Sequence, residues 1–241
     1  MAPAPADASA GRVPAGFWPR YAAWSLDAAC LLPLVALLGA SRVGHALDAA
    51  RAAWASLAAE LPRLLGDALG NPQPALALAH AWLADPRLAA QVAALEAALL
   101  AIVLTPVALY AVLALPWAVG FERGPWRATP GKRALGLQVS ADTGGRLTAG
   151  HALLRHLAAG LSWLTLNIGH LLAALPPAHL ALHDRLSDTR VAWCAGRRRM
   201  PAWAHAWLAV QALGLAAAIG CLFLSLQAAL QAAVQQALGL G

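Results

Sequence analysis

The chain has 241 residues, 60% of them hydrophobic and only 12% charged, with a mean hydropathy of +0.60 and a formal net charge of +6. That composition excludes an ordinary soluble domain. The basic residues cluster in two short patches beside apolar runs, as in cytoplasmic membrane loops, so no nucleic-acid partner is expected.

Residues 1–16 are rich in Ala and Pro and read as a disordered tail. Residues 21–41 lie between Arg20 and Arg42 and hold one charge, Asp27. At ~1.5 Å rise per residue they cross a ~30 Å hydrocarbon core. This first helix is expected from near Phe17 to about Ala40, with Trp18, Tyr21 and Trp24 at headgroup level and Pro33 placed to kink it. Gly39, Ala40 and Ser41 mimic an export cleavage site, but Asp27 in the apolar core and further spans downstream argue for retention.

A carboxylate inside a span is expensive. Two cations are within reach of Asp27: Arg20, seven residues back on roughly the same helical face, and Arg155 in the third apolar region. A cationic partner lowers an aspartate's pKa and burial raises it. Such a pair is either a structural tie that sets helix register or a switchable cation or proton site.

Residues 42–87 carry four arginines (Arg42, Arg51, Arg63, Arg87) and four acids (Asp48, Glu60, Asp67, Asp85). They read as a neutral, partly helical extracytoplasmic insertion. Leu47, Ala50, Trp54, Leu57, Leu61 and Leu64 share an apolar stripe. That pattern predicts a short helix on the membrane surface, broken or bent at Pro62; the alternative is a loose Ala-rich spacer.

The second span is the charge-free run 97–121, its helix starting as early as Leu88, with Pro106 as a kink and Trp117 near the far end. Residues 122–146 form a polar loop with five bases and two acids. Thr129 and Pro130 suit a short helical turn. Gly131-Lys132-Arg133 has a phosphate-binding flavour without the P-loop pattern, so anionic lipid headgroups are its expected phosphates. Residues 134–140 are strand-like, and 142–145 form a tight turn.

Residues 148–182 make a stretch of roughly 35, long for one span and short for two. Asn167 and Gly169 at the middle predict a broken, re-entrant hairpin; one long tilted span is the alternative. Residues 184–199 follow, with five arginines (Arg185, Arg190, Arg197, Arg198, Arg199) against two aspartates. A hairpin puts both basic patches on one side, as the positive-inside tendency prefers. It also lets residues 189–194, again strand-like, pair with 134–140.

His179 and His183 stand four apart beside Asp184, a spacing that permits a metal pair, but no third ligand is compelled and no metal site is assigned. There is no Gly-x-Ser-x-Gly elbow and no fixed acid pair, so neither an enzyme nor a cofactor is expected. Cys30, Cys194 and Cys221 are too scattered for a disulfide framework. A last span runs from Pro201 to about Leu226, with Trp203 and Trp207 at its start and Gln227, Gln231 and Gln235 in an uncharged helical tail. Gly214 and Gly220 would let another helix approach, a feature that suits a homo- or hetero-oligomer formed through membrane helices.

The expected fold is thus an all-α polytopic membrane protein. It has three full transmembrane helices, a broken helical hairpin and a small cytoplasmic two-stranded β element, with the N-terminus inside and the C-terminus outside. The lipid bilayer is its first partner.

Four motifs in order resemble the RDD family, named for an arginine and two aspartates. Residues 17–27, ending in Asp27, resemble its opening. Thr129-Pro130-Gly131-Lys132-Arg133-Ala134-Leu135-Gly136-Leu137-Gln138-Val139 resembles its central loop. Leu153-Leu154-Arg155 resembles the next helix start, and Leu182-His183-Asp184-Arg185-Leu186-Ser187-Asp188-Thr189-Arg190-Val191 its closing motif. The resemblance covers residues 17–194 and maps Arg20, Asp27 and Asp184 onto the name-giving positions. The chain departs from it at Asp188, where members often have glycine, and in the additions at 42–87 and from 201 on. The resemblance implies a multi-pass protein of the cell's inner membrane. Some members are linked to sodium or potassium exchange for protons, which implies a small ion or solute carrier using Asp27. The competing reading is a non-transporting scaffold or accessory subunit with a structural ion pair between Asp27 and Arg20 or Arg155.

Overall fold

A computed structural model describes residues 13–70, 73–165, 167–194 and 199–237. Their elements are α1 (Phe17–Gly70), α2 (Ala75–Leu83), α3 (Pro86–Arg123), α4 (Pro130–Leu135) and β1 (Leu137–Ala141), followed by α5 (Ala149–Leu164), α6 (Ile168–Leu171), a 3-10 turn (Leu172–Ala174), α7 (Leu182–Leu186), β2 (Thr189–Trp193) and α8 (Ala202–Ala237). Three helices, α1, α3 and α8, are long and apolar enough to cross a membrane. Helix α5 and the segment after Asn167 form a pair bent by 115°. The break falls where Asn167 takes a left-handed φ of 64°, a conformation asparagine tolerates better than most residues.

Several boundaries differ from the sequence expectation. Helix α1 does not stop near Ala40; it has 54 residues, about 81 Å of helix, and passes through Pro62 without interruption. No proline stands between Pro33 and Pro62, and a lone Gly44 costs only about 1 kcal/mol in an Ala/Leu-rich context. The separate surface helix expected within 42–87 is therefore the continuation of α1, followed by α2. Helix α8, by contrast, runs on through Gln227, Gln231 and Gln235 as the expected helical tail. Residues 134 and 135 are helical, not strand: Thr129 caps α4 by accepting from the Lys132 N–H, Pro130 opens it, and Gly136 closes it at φ 75°.

The described residues group into two compact units. One comprises residues up to 35 with 109–211, the other 36–108 with residues from 212 on. In the first, β1 and β2 pair antiparallel with Val139 opposite Val191 and Leu137 opposite Trp193. This pairing puts the loops 122–146 and 184–194 on one side of any membrane the chain spans. Arg197 and Arg198 of the second basic patch lie outside the described residues.

Of the expected disordered tail, residues 1–12 also lie outside the described residues, but 13–16 are held in place. The Trp193 N–H donates to Val13 O at 2.9 Å and the Ala15 N–H to Val191 O at 3.0 Å. The free edge of β2 needs partners for its backbone groups, and this segment supplies them. The core beneath the sheet joins Leu135, Leu137, Val139 and Val191 to Ala22 and Ala23 of α1. Trp24, Tyr110 and Trp163 link α1, α3 and α5 through ring centroids 6.2 and 5.8 Å apart. Ser25 of α1 accepts from Trp207 Nε1 at 3.0 Å and Gln211 Nε2 at 3.2 Å, which fastens the start of α8.

The second unit contains the far part of α1, α2, the first part of α3 and the end of α8. Arg63 bonds Glu60 and Asp85, both at 2.6 Å, and Gln91 Nε2 reaches Glu60 at 3.4 Å. These exposed pairs contribute little each. Leu213, Leu215, Leu222 and Phe223 of α8 are exposed, and Gly214 and Gly220 face open space.

Candidate functional site

Five charges of alternating sign form one chain in the first unit, with Asp184, Arg155 and Glu122 buried and Arg20 and Lys132 half-buried at its ends. Arg20 of α1 bonds Asp184 Oδ2, and Arg155 of α5 bonds Asp184 Oδ1. Arg155 Nε lies 3.4 Å from Glu122 at the end of α3, and Glu122 in turn bonds Lys132 of α4. Three positive and two negative charges thus link α1, α3, α4, α5 and α7 with nearly complete local compensation. A buried charge is tolerable only in that form.

Backbone and hydroxyl groups complete the network. Arg20 also donates to Ala15 O at 2.8 Å and His179 O at 2.7 Å. Arg155 donates to Thr189 Oγ1 at 2.8 Å, and the Ala181 N–H donates to Asp184 Oδ2 at 2.9 Å. Burial pushes the Asp184 carboxyl up, but Arg155 and then Arg20 overcome it and hold the group well below the usual carboxylate range.

Asp27 stands apart from these cations. Its pairing with Arg20 or Arg155, expected from sequence, is not what the chain adopts: both arginines serve Asp184. Asp27 instead binds the start of α4. Thr129 Oγ1 donates to Oδ2, while the Gly131 N–H at 2.8 Å and Trp117 Nε1 at 3.2 Å donate to Oδ1. Within residues 129–133 the Thr129 hydroxyl and the Gly131 N–H thus hold the chain's own carboxylate, while the Arg133 side chain lies over Trp126 and takes no part in that contact. Gly131 is required by space, since a methyl there would lie 2.1 Å from Ala23 O.

His183 and His179 are not neighbours on one helical face, because α7 begins only at Leu182 and His179 has φ 50°. His179 Nδ1 contacts Ala173 O at 2.9 Å. His183 instead stands 5.1 Å from His170, ring centroid to centroid. Burial pushes the His183 imidazole well below its ordinary value, and nearby Arg155 pushes it further. Among the described residues no group of three or more His, Cys, Asp or Glu is arranged to hold a metal. Of the remaining motif residues, Arg185 is exposed, and Arg133 stacks over Trp126 at 4.0 Å.

The structure therefore unites Arg20, Arg155, Asp184 and Thr189 and sets Asp27, Thr129 and Gly131 in a second cluster. Sequence reasoning missed Glu122 as the hinge of the network and Trp117 as a donor to Asp27. The signal for Glu122 was present: a lone acid ending a charge-free run of membrane length, followed by a basic loop.

No curated protein and no solved structure matches the chain. The family model described as "RDD family" matches residues 14–188. That match takes in Arg20, Asp27, Glu122, the 129–136 loop, Arg155 and Asp184, and the chain belongs to the RDD family of membrane proteins.

Proposed function

We propose that this RDD protein is a non-transporting scaffold or accessory subunit of the cell's inner membrane, with its N-terminus cytoplasmic and no enzymatic reaction of its own. One observation carries this reading. Every carboxylate oxygen of Asp27 and Asp184 already accepts from a donor of the same chain, and both residues are buried. Neither lines the cavities found at the sheet or at the end of α3. The exposed apolar length of α8 supplies a surface for another membrane helix.

A second reading has its own support. The three donors to Asp27 are all uncharged, so its charge has no fixed cation among its bonding partners, and the broken α5–α6 pair is a form that carriers use near their sites. On that reading the protein is a small ion or solute carrier, with cation–proton exchange through Asp27. Flux separates the two. Purified protein in liposomes, under sodium, potassium or lithium gradients with an internal pH dye, should behave like empty liposomes if it is a scaffold. Cation-driven proton movement that Asp27→Asn abolishes would establish the carrier instead.

A further inference from the structure

At the end of α3 an apolar groove of about 420 Å³ opens between Pro116, Gly120, Phe121, Gly124, Pro125 and Trp126. Phe121 and Trp126 stack at 5.7 Å, and Trp126 is 42% exposed. The groove lies where a helix of membrane length gives way to a polar loop, the level at which aromatic side chains meet headgroups. Its rim is cationic. The Arg133 guanidinium sits over the Trp126 ring, and the exposed Arg123 lies between groove residues Phe121 and Gly124 in the sequence. Among the described residues neither Arg123 nor Arg133 pairs with a carboxylate, whereas the neighbouring Lys132 is neutralised by Glu122.

An apolar slot with unneutralised guanidinium groups at its mouth complements a ligand with a hydrocarbon tail and an anionic head. We infer that this groove holds one anionic phospholipid, its acyl chain along Gly120 and Phe121 and its phosphate at Arg133 and Arg123. The inference rests on the membrane reading but on neither the scaffold nor the carrier role. The guanidinium is suited to phosphate because it offers a planar fork of donors, and its stacking on Trp126 pre-orients it.

Gly120 permits a specific test, because it lines the groove and a Cβ added there meets nothing within 4 Å. The delipidated full chain would be titrated by native mass spectrometry with phosphatidylglycerol and with phosphatidylcholine. Wild type should retain one phosphatidylglycerol in preference to phosphatidylcholine. Arg133→Gln should weaken that preference about fivefold, as expected for one basic residue near a lipid surface. Gly120→Trp should displace both lipids from the tight site, and Arg51→Gln, far along α1, should change nothing. Glycerol 3-phosphate should not compete. Equal retention of the two lipids, indifference to both groove variants, or competition by glycerol 3-phosphate as effective as the lipid itself would each overturn the proposal. The first two outcomes mean ordinary annular lipid, and the last a plain phosphate site.

Discussion

The Gly131 N–H donates to the Asp27 carboxylate at 2.8 Å, and the same glycine touches α1 so closely that a methyl would sit 2.1 Å from Ala23 O and 3.0 Å from Asp27 Cγ. One residue thus serves both the hydrogen bond and the approach of loop to helix. The obstructing atom at Ala23 is backbone, which cannot swing aside.

Gly131→Ala should therefore destabilise the protein by about 2–3 kcal/mol, the range of an overpacked interior. Thermal unfolding in detergent measures it. Gly120→Ala in α3, where the new methyl meets open space, is the control and should hold the unfolding temperature or raise it slightly, since alanine favours the helix by up to about 1 kcal/mol.

Asp188 holds φ 47° while its carbonyl accepts from the Asp142 N–H at 2.9 Å. The departure from the family's glycine thus keeps the left-handed turn and its backbone bond. Asp188→Gly should be neutral to about 1 kcal/mol stabilising, because left-handed backbone carries no penalty for glycine. Asp188→Val should cost about 1–2 kcal/mol. Equal unfolding temperatures for the two variants would show that the turn carries no strain.

His183 yields a pH dependence with a definite sign. Its folded imidazole has a pKa below the ordinary value of about 6.5, so the unfolded chain binds the proton more readily. Stability from this group is full above about pH 6.5 and falls as the solution is acidified below it. Unfolding temperature recorded from pH 7.5 to 5 should drop, and His183→Gln should flatten the slope. Unchanged slopes in the variant would assign the acid sensitivity elsewhere.

Side of the membrane can be read by labelling. In a background lacking Cys30, Cys194 and Cys221, single cysteines at the exposed Thr143, Arg185 and Gln235 would be probed with an impermeant maleimide. The β1–β2 pairing requires Thr143 and Arg185 to label from the same side, and the proposed topology puts that side in the cytoplasm and Gln235 opposite. Labelling of positions 143 and 185 from different sides would contradict the sheet itself.

Much of this architecture was legible because bilayer physics writes plainly in sequence. A charge-free run of membrane length marked α3, a run with the single charge Asp27 marked the start of α1, and Asn167 with Gly169 marked the break after α5. Two short strand-like segments found each other because each alone is unstable. What stayed hidden was partner choice. Asp27 and Arg20 share a helix and a face, so local spacing favoured their pairing. Arg20 Nε and Nη2 are drawn instead to Ala15 O and His179 O, which aims Nη1 at Asp184, 164 residues away. Spacing along one helix cannot reveal contacts made across the fold. The end of α1 was misjudged for a different reason: hydropathy reports where lipid stops, while Ala- and Leu-rich helix continues beyond it.

Whether the buried aspartates are fixtures of the fold is tested most directly at Asp184, which is 1% exposed between two guanidinium groups. The measurement is the unfolding free energy in mixed micelles for wild type, Asp184→Asn, and the triple variant Arg20→Met/Arg155→Met/Asp184→Leu. A structural tie predicts a loss of about 3–5 kcal/mol in Asp184→Asn, because two buried cations lose their anion. The triple variant, which removes the stranded charges together, should recover much of that loss. An Asp184→Asn protein within about 1 kcal/mol of wild type would contradict the structural role and leave that carboxylate free for another task.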